Sequence, residues 1–170
     1  MATTSTRIGT LTNLQPGGQY DLLLIKFVGT YPVGQIGFGF YETPMKISGL
    51  QKVSQMFIKI LLTTKGSDPI YPQMGTFFSE LTIGANQTLD DTLYLSTLNE
   101  SIQSAAAQTK SLMNAQNTDL SSCLDSVTLA GIDKVEDSIV MYIVINTSDG
   151  VSASIAMPFP EFGLSTPYAS

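Results

Sequence analysis

The chain has 170 residues, a length that fits one domain with its own hydrophobic core and requires no disulfide staples. Its single cysteine, Cys123, excludes an internal disulfide, and the absence of histidine argues against a zinc site and against most hydrolases. The formal charge is −6, Arg7 is the single arginine and the lysines are scattered, so the sequence predicts no nucleic-acid partner.

Two further features of the composition bear on location and partners. No window reaches the roughly twenty apolar residues of a membrane-spanning helix, and the first residues lack the pattern of a secretory signal. We therefore expect a protein that is made in the cytoplasm and does not enter a membrane. Charged residues are only 13% of the chain, while small polar residues are abundant. Such a surface is typical of proteins that lie against other proteins, although secreted β-rich adhesins share it.

Residues 1–45 are predicted to form an N-terminal arm followed by a β extension. The stretch up to Asn13 is rich in threonine. Two later runs, 20–29 and 33–42, have the composition of strands around a turn at residues 29–32.

A first helix is predicted to follow Ser48. Ser48 and Gln51 form a capping box at its start. Apolar residues then recur at helical spacing: Leu50, Val53, Phe57, Ile60 and Leu61. Polar residues such as Lys52 and Gln55 are expected on other faces, and Gly66 is expected just past the helix end.

A second, longer helix is predicted from Asp90 or Asp91 to about Asn117, since acidic residues suit a helix N-terminus. Its inward-facing positions repeat every three or four residues: Leu95, Leu98, Ile102, Ala105, Thr109 and Leu112. This seven-residue rhythm is typical either of an ordinary core face or of a seam that packs against a partner helix. Both interpretations stay open, and the second makes Leu95, Leu98 and Ile102 candidate interface residues.

The C-terminal part has the pattern of β-strands at residues 126–132, 138–146 and 151–158. The middle run is apolar on both faces, which favours a position at the centre of a sheet. In the last run Val151 and Ile155 alternate with small polar residues, so this strand is a candidate docking edge with those two residues at the contact.

The chain ends in a proline-containing and aromatic tail. Pro158 and Pro160 exclude a regular central strand there. Residues 159–170 are therefore predicted to form a C-terminal arm that docks through Phe159 and Phe162.

These elements predict an α+β fold. Two main helices accompany a mixed or antiparallel sheet in which a C-terminal β-hairpin dominates, and the N-terminal β extension is added to it. The core domain is predicted to span residues 46–158, between the N-terminal region 1–45 and the C-terminal arm 159–170.

The stretch "LLTTKGSDPIYPQMGTFF", residues 61–78, is predicted to form a rigid elbow after the first helix. Its prolines fix φ, its aspartate can turn the backbone, and its second glycine allows a further sharp bend. A segment held in one shape suits a contact surface better than a moving lid. The candidate interface residues in this elbow are Lys65, Gly66, Asp68, Pro69, Pro72 and Gly75.

The span from Ser48 to Leu81, about a fifth of the chain, resembles the baseplate wedge and sheath-initiator family of contractile-tailed phages and related injection machines, often labelled lysozyme-like. That family carries a helix ending in an apolar pair and Thr, then Lys-Gly, an Asp or Arg, a Pro-containing turn and Gly. The residues that match in order are Leu61, Leu62, Thr63, Lys65, Gly66, Ser67, Asp68, Pro72 and Gly75. The later order of long helix, strand and hairpin is similar too.

The resemblance implies a structural, non-enzymatic protein of the virion, located in the tail baseplate in several copies around the tail axis, six in a hexameric assembly. It implies sheath, wedge, tube or hub proteins as partners and no catalytic residue. We expect no cofactor and, from the lack of histidine and of a cysteine cluster, no metal site. Family members commonly carry Glu-Pro-Arg before the final strands, whereas this chain has "DLSSCLDS" at residues 119–126. The ionic contact made by that arginine is therefore missing or replaced.

Two other functional classes stay open. The low charge and the Ser/Thr content also fit a β-rich adhesin or receptor-binding module of the tail. The family's label suggests a muralytic enzyme, whose candidate acids are Glu80, Asp90, Asp91 and Glu100. A catalytic pair is not expected among them, because the two aspartates have a simpler role at a helix start and the chain lacks tryptophan for a sugar platform.

Overall fold

The computed structural model of the protein describes residues 21–28, 35–39, 45–82, 91–116, 119–135 and 138–160. The helices in these ranges are α1 (Gly49–Leu62), α2 (Phe78–Thr82) and α3 (Asp91–Gln116), and a 3₁₀ turn covers Leu120–Ser122. The strands are β1 (Asp21–Leu22), β2 (Ile25–Val28), β3 (Gln35–Phe38), β4 (Lys46–Ile47), β5 (Leu124–Val135), β6 (Ser138–Thr147) and β7 (Ser152–Pro160). The fold is α+β, as the sequence predicts.

The described strands pair antiparallel in three sheets. β1 pairs with β4, β2 pairs with β3, and the largest sheet has the order β5-β6-β7. The β2-β3 pair confirms the predicted N-terminal hairpin, whose turn at 29–32 lies outside the described residues. β6 occupies the centre of its sheet, as its two apolar faces indicate, and β6 with β7 forms the predicted C-terminal hairpin.

Helix α1 supplies much of the core. Its predicted apolar stripe includes four fully buried residues, Val53, Phe57, Ile60 and Leu61. Ser48 is the N-cap, but its side chain makes no capping hydrogen bond, so the helix start is confirmed and the capping box is wrong. The helix ends at Leu62 because Thr63 is already extended. Gly66 therefore belongs to the elbow and does not cap the helix.

Gln55 is buried, which contradicts its predicted place on an outer face of α1. Its Oε1 accepts a hydrogen bond from Leu24 N–H at 2.6 Å, and its amide nitrogen donates to the carbonyl oxygen of Leu22 at 2.8 Å. The side chain thus replaces a missing backbone partner for the segment after β1. Lys52 is buried as well. Periodicity assigns polar residues to the surface and cannot identify one that satisfies buried backbone groups.

The seven-residue repeat of α3 lies in the chain's own core. Leu98, Ile102, Ala105 and Thr109 are fully buried, because α3 packs against α1, α2 and β5. The interpretation of Leu98 and Ile102 as a seam for a partner helix is therefore wrong. Leu95 is 47% exposed, so it alone of the three candidates lies at the surface.

β7 continues as far as Pro160, beyond the predicted domain boundary. Phe159 consequently belongs to the sheet and not to a separate arm, which corrects the boundary at residue 159. The strand tolerates its prolines because it lies at the edge of the described sheet. Phe162 and the rest of the predicted arm lie outside the described residues, as do residues 1–20.

Candidate functional site

The outer edge of β7 carries backbone groups that face away from β6. Residues of an antiparallel ladder alternate between those bonded to the neighbouring strand and those directed away from it. Thr147 N–H donates to the Val151 carbonyl at 2.9 Å, which fixes the phase of the ladder. Every second residue after Val151 is therefore bonded to β6, and these residues are Ala153, Ile155 and Met157. The residues directed away are Ser152, Ser154 and Ala156, and their side chains are exposed.

The positions of two prolines agree with this alternation, and they shorten the part of the edge that can pair with another strand. Pro158 lies opposite Val140 and Pro160 lies opposite Ser138, both at positions directed away from β6. A proline has no N–H, so it fits only where the ladder requires no donor. The edge therefore offers both donors and acceptors over residues 152–156 and acceptors alone beyond them. Among the described strands none pairs with this edge, and β3 approaches β7 without joining its sheet.

The opposite edge of the sheet, on β5, is partly covered by side chains of α3. Leu124 N–H donates to Asn114 Oδ1 at 3.1 Å, and the Asn114 amide donates back to the Leu124 carbonyl at 3.3 Å. The Gln103 amide donates to the Val127 carbonyl at 3.2 Å. β5 also has two register shifts against β6, whereas β7 pairs in unbroken register. Bulges hinder the addition of a strand, so β7 is the edge suited to accept one.

Because α1 ends at Leu62 and α2 begins at Phe78, the elbow of the structure is residues 63–77, and hydrogen bonds hold its two ends against each other. Thr76 N–H donates to the Thr63 carbonyl at 2.8 Å, and Lys65 N–H donates to the Thr76 carbonyl at 3.0 Å. The Thr76 hydroxyl donates to the Leu61 carbonyl at 2.8 Å, which ties the elbow to the last turn of α1. The elbow therefore closes on itself as a compact loop.

Asp68 and Gly75 set the path of the elbow as the sequence predicts. Asp68 Oδ1 accepts hydrogen bonds from Ile70 N–H at 2.8 Å and from Tyr71 N–H at 3.1 Å. Gly75 has φ of +101°, and its N–H and carbonyl both bond to the side-chain amide of Gln108 at 2.9 Å. Because Gln108 lies on α3, the elbow is braced by both main helices.

The elbow displays large apolar side chains on this fixed backbone. Ile70 is 76% exposed, Tyr71 is 62% exposed and Phe77 is 51% exposed. Lys65 Nζ lies 5.7 Å from the centre of the Phe77 ring, within the range of a cation–π contact. Rigid backbone with exposed apolar side chains is what a contact surface requires.

The predicted site residues fall on separate elements. The six elbow candidates lie on one closed loop, where Lys65, Gly66, Pro69 and Pro72 are exposed and Asp68 is partly buried. Gly75 is buried against Gln108, which corrects its assignment as a contact residue. Val151 is half exposed at the start of β7, but the side chain of Ile155 packs against the core, which corrects its assignment as a contact residue.

Sequence reasoning missed the residues that present the two surfaces. On the β7 edge these are Ser152, Ser154 and Ala156. On the elbow they are Ile70, Tyr71 and Phe77. The spacing of Pro158 and Pro160 was an available signal for the first set, because two prolines in the same phase mark the positions that lack a ladder donor.

The acidic residues do not converge on a reaction centre in the described part of the chain. Glu80 on α2 and Glu100 on α3 are exposed, and Asp90 lies outside the described residues. The Ser121 hydroxyl and then the Ser121 N–H, at 2.7 and 3.1 Å, bond to Asp119 and lower the pKa of its carboxyl. This aspartate caps the 3₁₀ turn that leads from α3 to β5.

The described residues contain no group of three or more histidine, cysteine or acidic side chains able to hold a metal ion. None of the helices in the described ranges combines the length and the apolar character needed to cross a bilayer.

The sequence matches no known protein-family model and no curated protein. The β7 edge and the elbow are the two surfaces of the described chain that are suited to contact a partner.

Proposed function

We propose that this protein is a structural, non-enzymatic component of the baseplate of a contractile phage tail. In this role it links wedge proteins with tube-proximal or hub proteins and offers a docking edge from which the sheath begins. The outer edge of β7, with which no described strand pairs, carries the proposal, because its outward N–H and C=O groups can accept a strand from a neighbouring subunit. The resemblance of residues 48–81 to baseplate wedge and sheath-initiator proteins supports the proposed location in the baseplate.

Strand addition would fix both the position and the register of the neighbour. Each backbone hydrogen bond contributes about 0.5–1.5 kcal/mol net, so one strand over residues 152–156 forms a contact of modest strength. Several copies around the tail axis would multiply such contacts through their combined avidity. The small side chains of Ser152, Ser154 and Ala156 leave room for larger ones on the added strand.

Localisation of the chain in intact particles by cryo-microscopy tests the proposal. The expected result is density for this fold where the tube meets the first sheath ring, repeated around the tail axis. Density confined to fibre tips would contradict it, and binding of the isolated chain to cells or glycans would then favour an adhesin.

A proline substitution tests the use of the edge itself. Ser154→Pro removes one outward N–H, and the strand should still pair with β6 because Pro158 and Pro160 already occupy positions of the same phase. Ser154→Ala is the matched control, since it changes the side chain and keeps the N–H. We expect the proline variant to enter particles about tenfold less than the alanine variant, the equivalent of one or two lost hydrogen bonds. Equal incorporation would show that assembly does not use this edge.

A muralytic enzyme makes a different prediction. Purified chain would cleave cell wall, and Glu80→Gln or Glu100→Gln would abolish the cleavage. The proposed structural role predicts no cleavage by the unaltered chain.

A further inference from the structure

Exposed large apolar side chains concentrate in the elbow. Seven such side chains occur in the described part of the chain, and three of them, Ile70, Tyr71 and Phe77, lie within eight residues of sequence. The other four are far apart from one another in the sequence. Ile70 is the most exposed of all seven.

The backbone presents these side chains in a fixed arrangement. Asp68 holds the N–H groups of Ile70 and Tyr71, and Met74 N–H donates to the Tyr71 carbonyl at 2.9 Å. Side chains on a rigid backbone lose little conformational entropy on binding, and tyrosine is enriched among residues that dominate binding energy. Ile70 is 76% exposed and Tyr71 is 62% exposed, so a concave apolar surface on a partner would bury the most of both side chains.

Lys65 specifies the charge of that partner. Its ammonium group lies beside the Phe77 ring and forms no ion pair with any residue that the structure describes. A partner that covers Phe77 also removes water from this ammonium group, which is strongly unfavourable unless an anion replaces the water. A carboxylate on the covering surface near Lys65 would supply that anion.

A second copy of the chain fits these requirements poorly. Each copy has a formal charge of −6, so two copies repel one another.

We infer that the elbow inserts into a concave apolar surface on a different protein of the virion, and that a carboxylate at the rim of that surface pairs with Lys65. That the partner is a virion protein rests on the proposed function. The chemistry of the partner rests on the exposed side chains and Lys65 of the elbow.

Particles assembled with elbow variants provide the test. The double variant Ile70→Ser and Tyr71→Ser removes two projecting apolar side chains without touching the bonds that close the elbow. Leu120→Ser is the matched control, because Leu120 is 58% exposed on the 3₁₀ turn. We expect the double variant to be incorporated at least about tenfold less than the control. Incorporation at the level of the control would overturn the inference.

Two variants of Lys65 test the charge requirement. Lys65→Met keeps an unbranched apolar stem and removes the ammonium group, whereas Lys65→Arg keeps the positive charge. We expect the methionine variant to be incorporated several-fold less than the arginine variant. Equal incorporation of the two would exclude the proposed carboxylate.

A map of the intact particle separates this inference from the proposed function. The expected map shows a carboxylate of another protein within about 4 Å of Lys65 Nζ. A chain in the baseplate whose elbow faces solvent, or contacts a second copy, overturns the inference and leaves the proposed function intact. A chain elsewhere in the virion whose elbow lies in an acid-rimmed surface does the reverse, and a chain found in no particle overturns both.

Discussion

Replacing Gly75 with alanine tests whether close backbone packing at this glycine holds the elbow in one conformation. Gly75 has φ of +101°, a region that residues with a side chain rarely adopt. A Cβ added there would lie 2.4 Å from the Thr63 carbonyl oxygen and 3.0 Å from the Thr63 carbonyl carbon. These are backbone atoms, and the Thr63 carbonyl already accepts the Thr76 N–H, so the loop must shift to relieve the overlap.

The expected destabilisation follows from two contributions. The left-handed backbone costs an alanine about 1–2 kcal/mol. Moving the loop weakens its hydrogen bonds to Gln108 or Thr63, and losing one or two of them costs about 1–2 kcal/mol more. Gly75→Ala should therefore reduce the free energy of unfolding by about 2–4 kcal/mol, the sum of these two contributions.

Gly66→Ala is the control that separates the two contributions. Gly66 also has a positive φ, of +86°, but a Cβ there meets nothing within 4 Å. This variant should show the backbone cost alone, about 1–2 kcal/mol. Urea unfolding of both variants, at unchanged dependence on denaturant, measures the difference. Equal destabilisation by the two substitutions would refute the claim that the elbow is tightly constrained at Gly75.

Three further variants test other parts of the structure. Gln55→Ala leaves Leu24 N–H without its partner, and we expect faster amide exchange at Leu24 with a loss of about 1–3 kcal/mol; unchanged exchange would contradict this role. Ile102→Ala should destabilise the isolated chain by about 2–5 kcal/mol in urea unfolding, whereas an unaffected monomer would restore the partner-helix interpretation. Because its pKa is lowered, Asp119 stabilises the folded state at pH values above the ordinary pKa of aspartate, and this stabilisation is lost as the pH falls through the lowered pKa. Asp119→Asn should therefore make the free energy of unfolding depend less on pH in the acid range. Identical acid-unfolding profiles of the variant and the unaltered chain would contradict this role.

Local patterns in the sequence identify the larger elements of this fold. The apolar stripe of α1, the acidic start of α3 and the alternation in the C-terminal hairpin each depend on neighbours along the chain. The elbow is predictable for the same reason, because proline, glycine and aspartate act on the backbone next to them.

Features that depend on distant contacts were not predictable. The five-residue helix α2 is too short to show a period, and Gln55 is buried because it meets a segment more than thirty residues away. The repeat of α3 is compatible with a core face and with a partner seam, and only the packing of α1 and β5 against it distinguishes the two.

In the candidate site, too, local sequence predicts some features, whereas others depend on distant contacts. Sequence reasoning located the elbow and the outer strand of the hairpin, but it assigned contact to Ile155, whose side chain packs against the core. Which residues face outward depends on the phase of the ladder, which the pairing of Thr147 with Val151 determines. The exposure of Ile70 and Tyr71 depends likewise on how the closed loop lies against the two helices.

Amide hydrogen exchange of the isolated chain tests most directly whether the β7 edge is open before assembly. If it is open, the amides of Ser154 and Ala156 exchange rapidly with solvent while those of Ala153 and Ile155, bonded to β6, are protected. Protection of Ser154 and Ala156 equal to that of Ile155 would mean that the chain already pairs with its own edge, and would contradict the account.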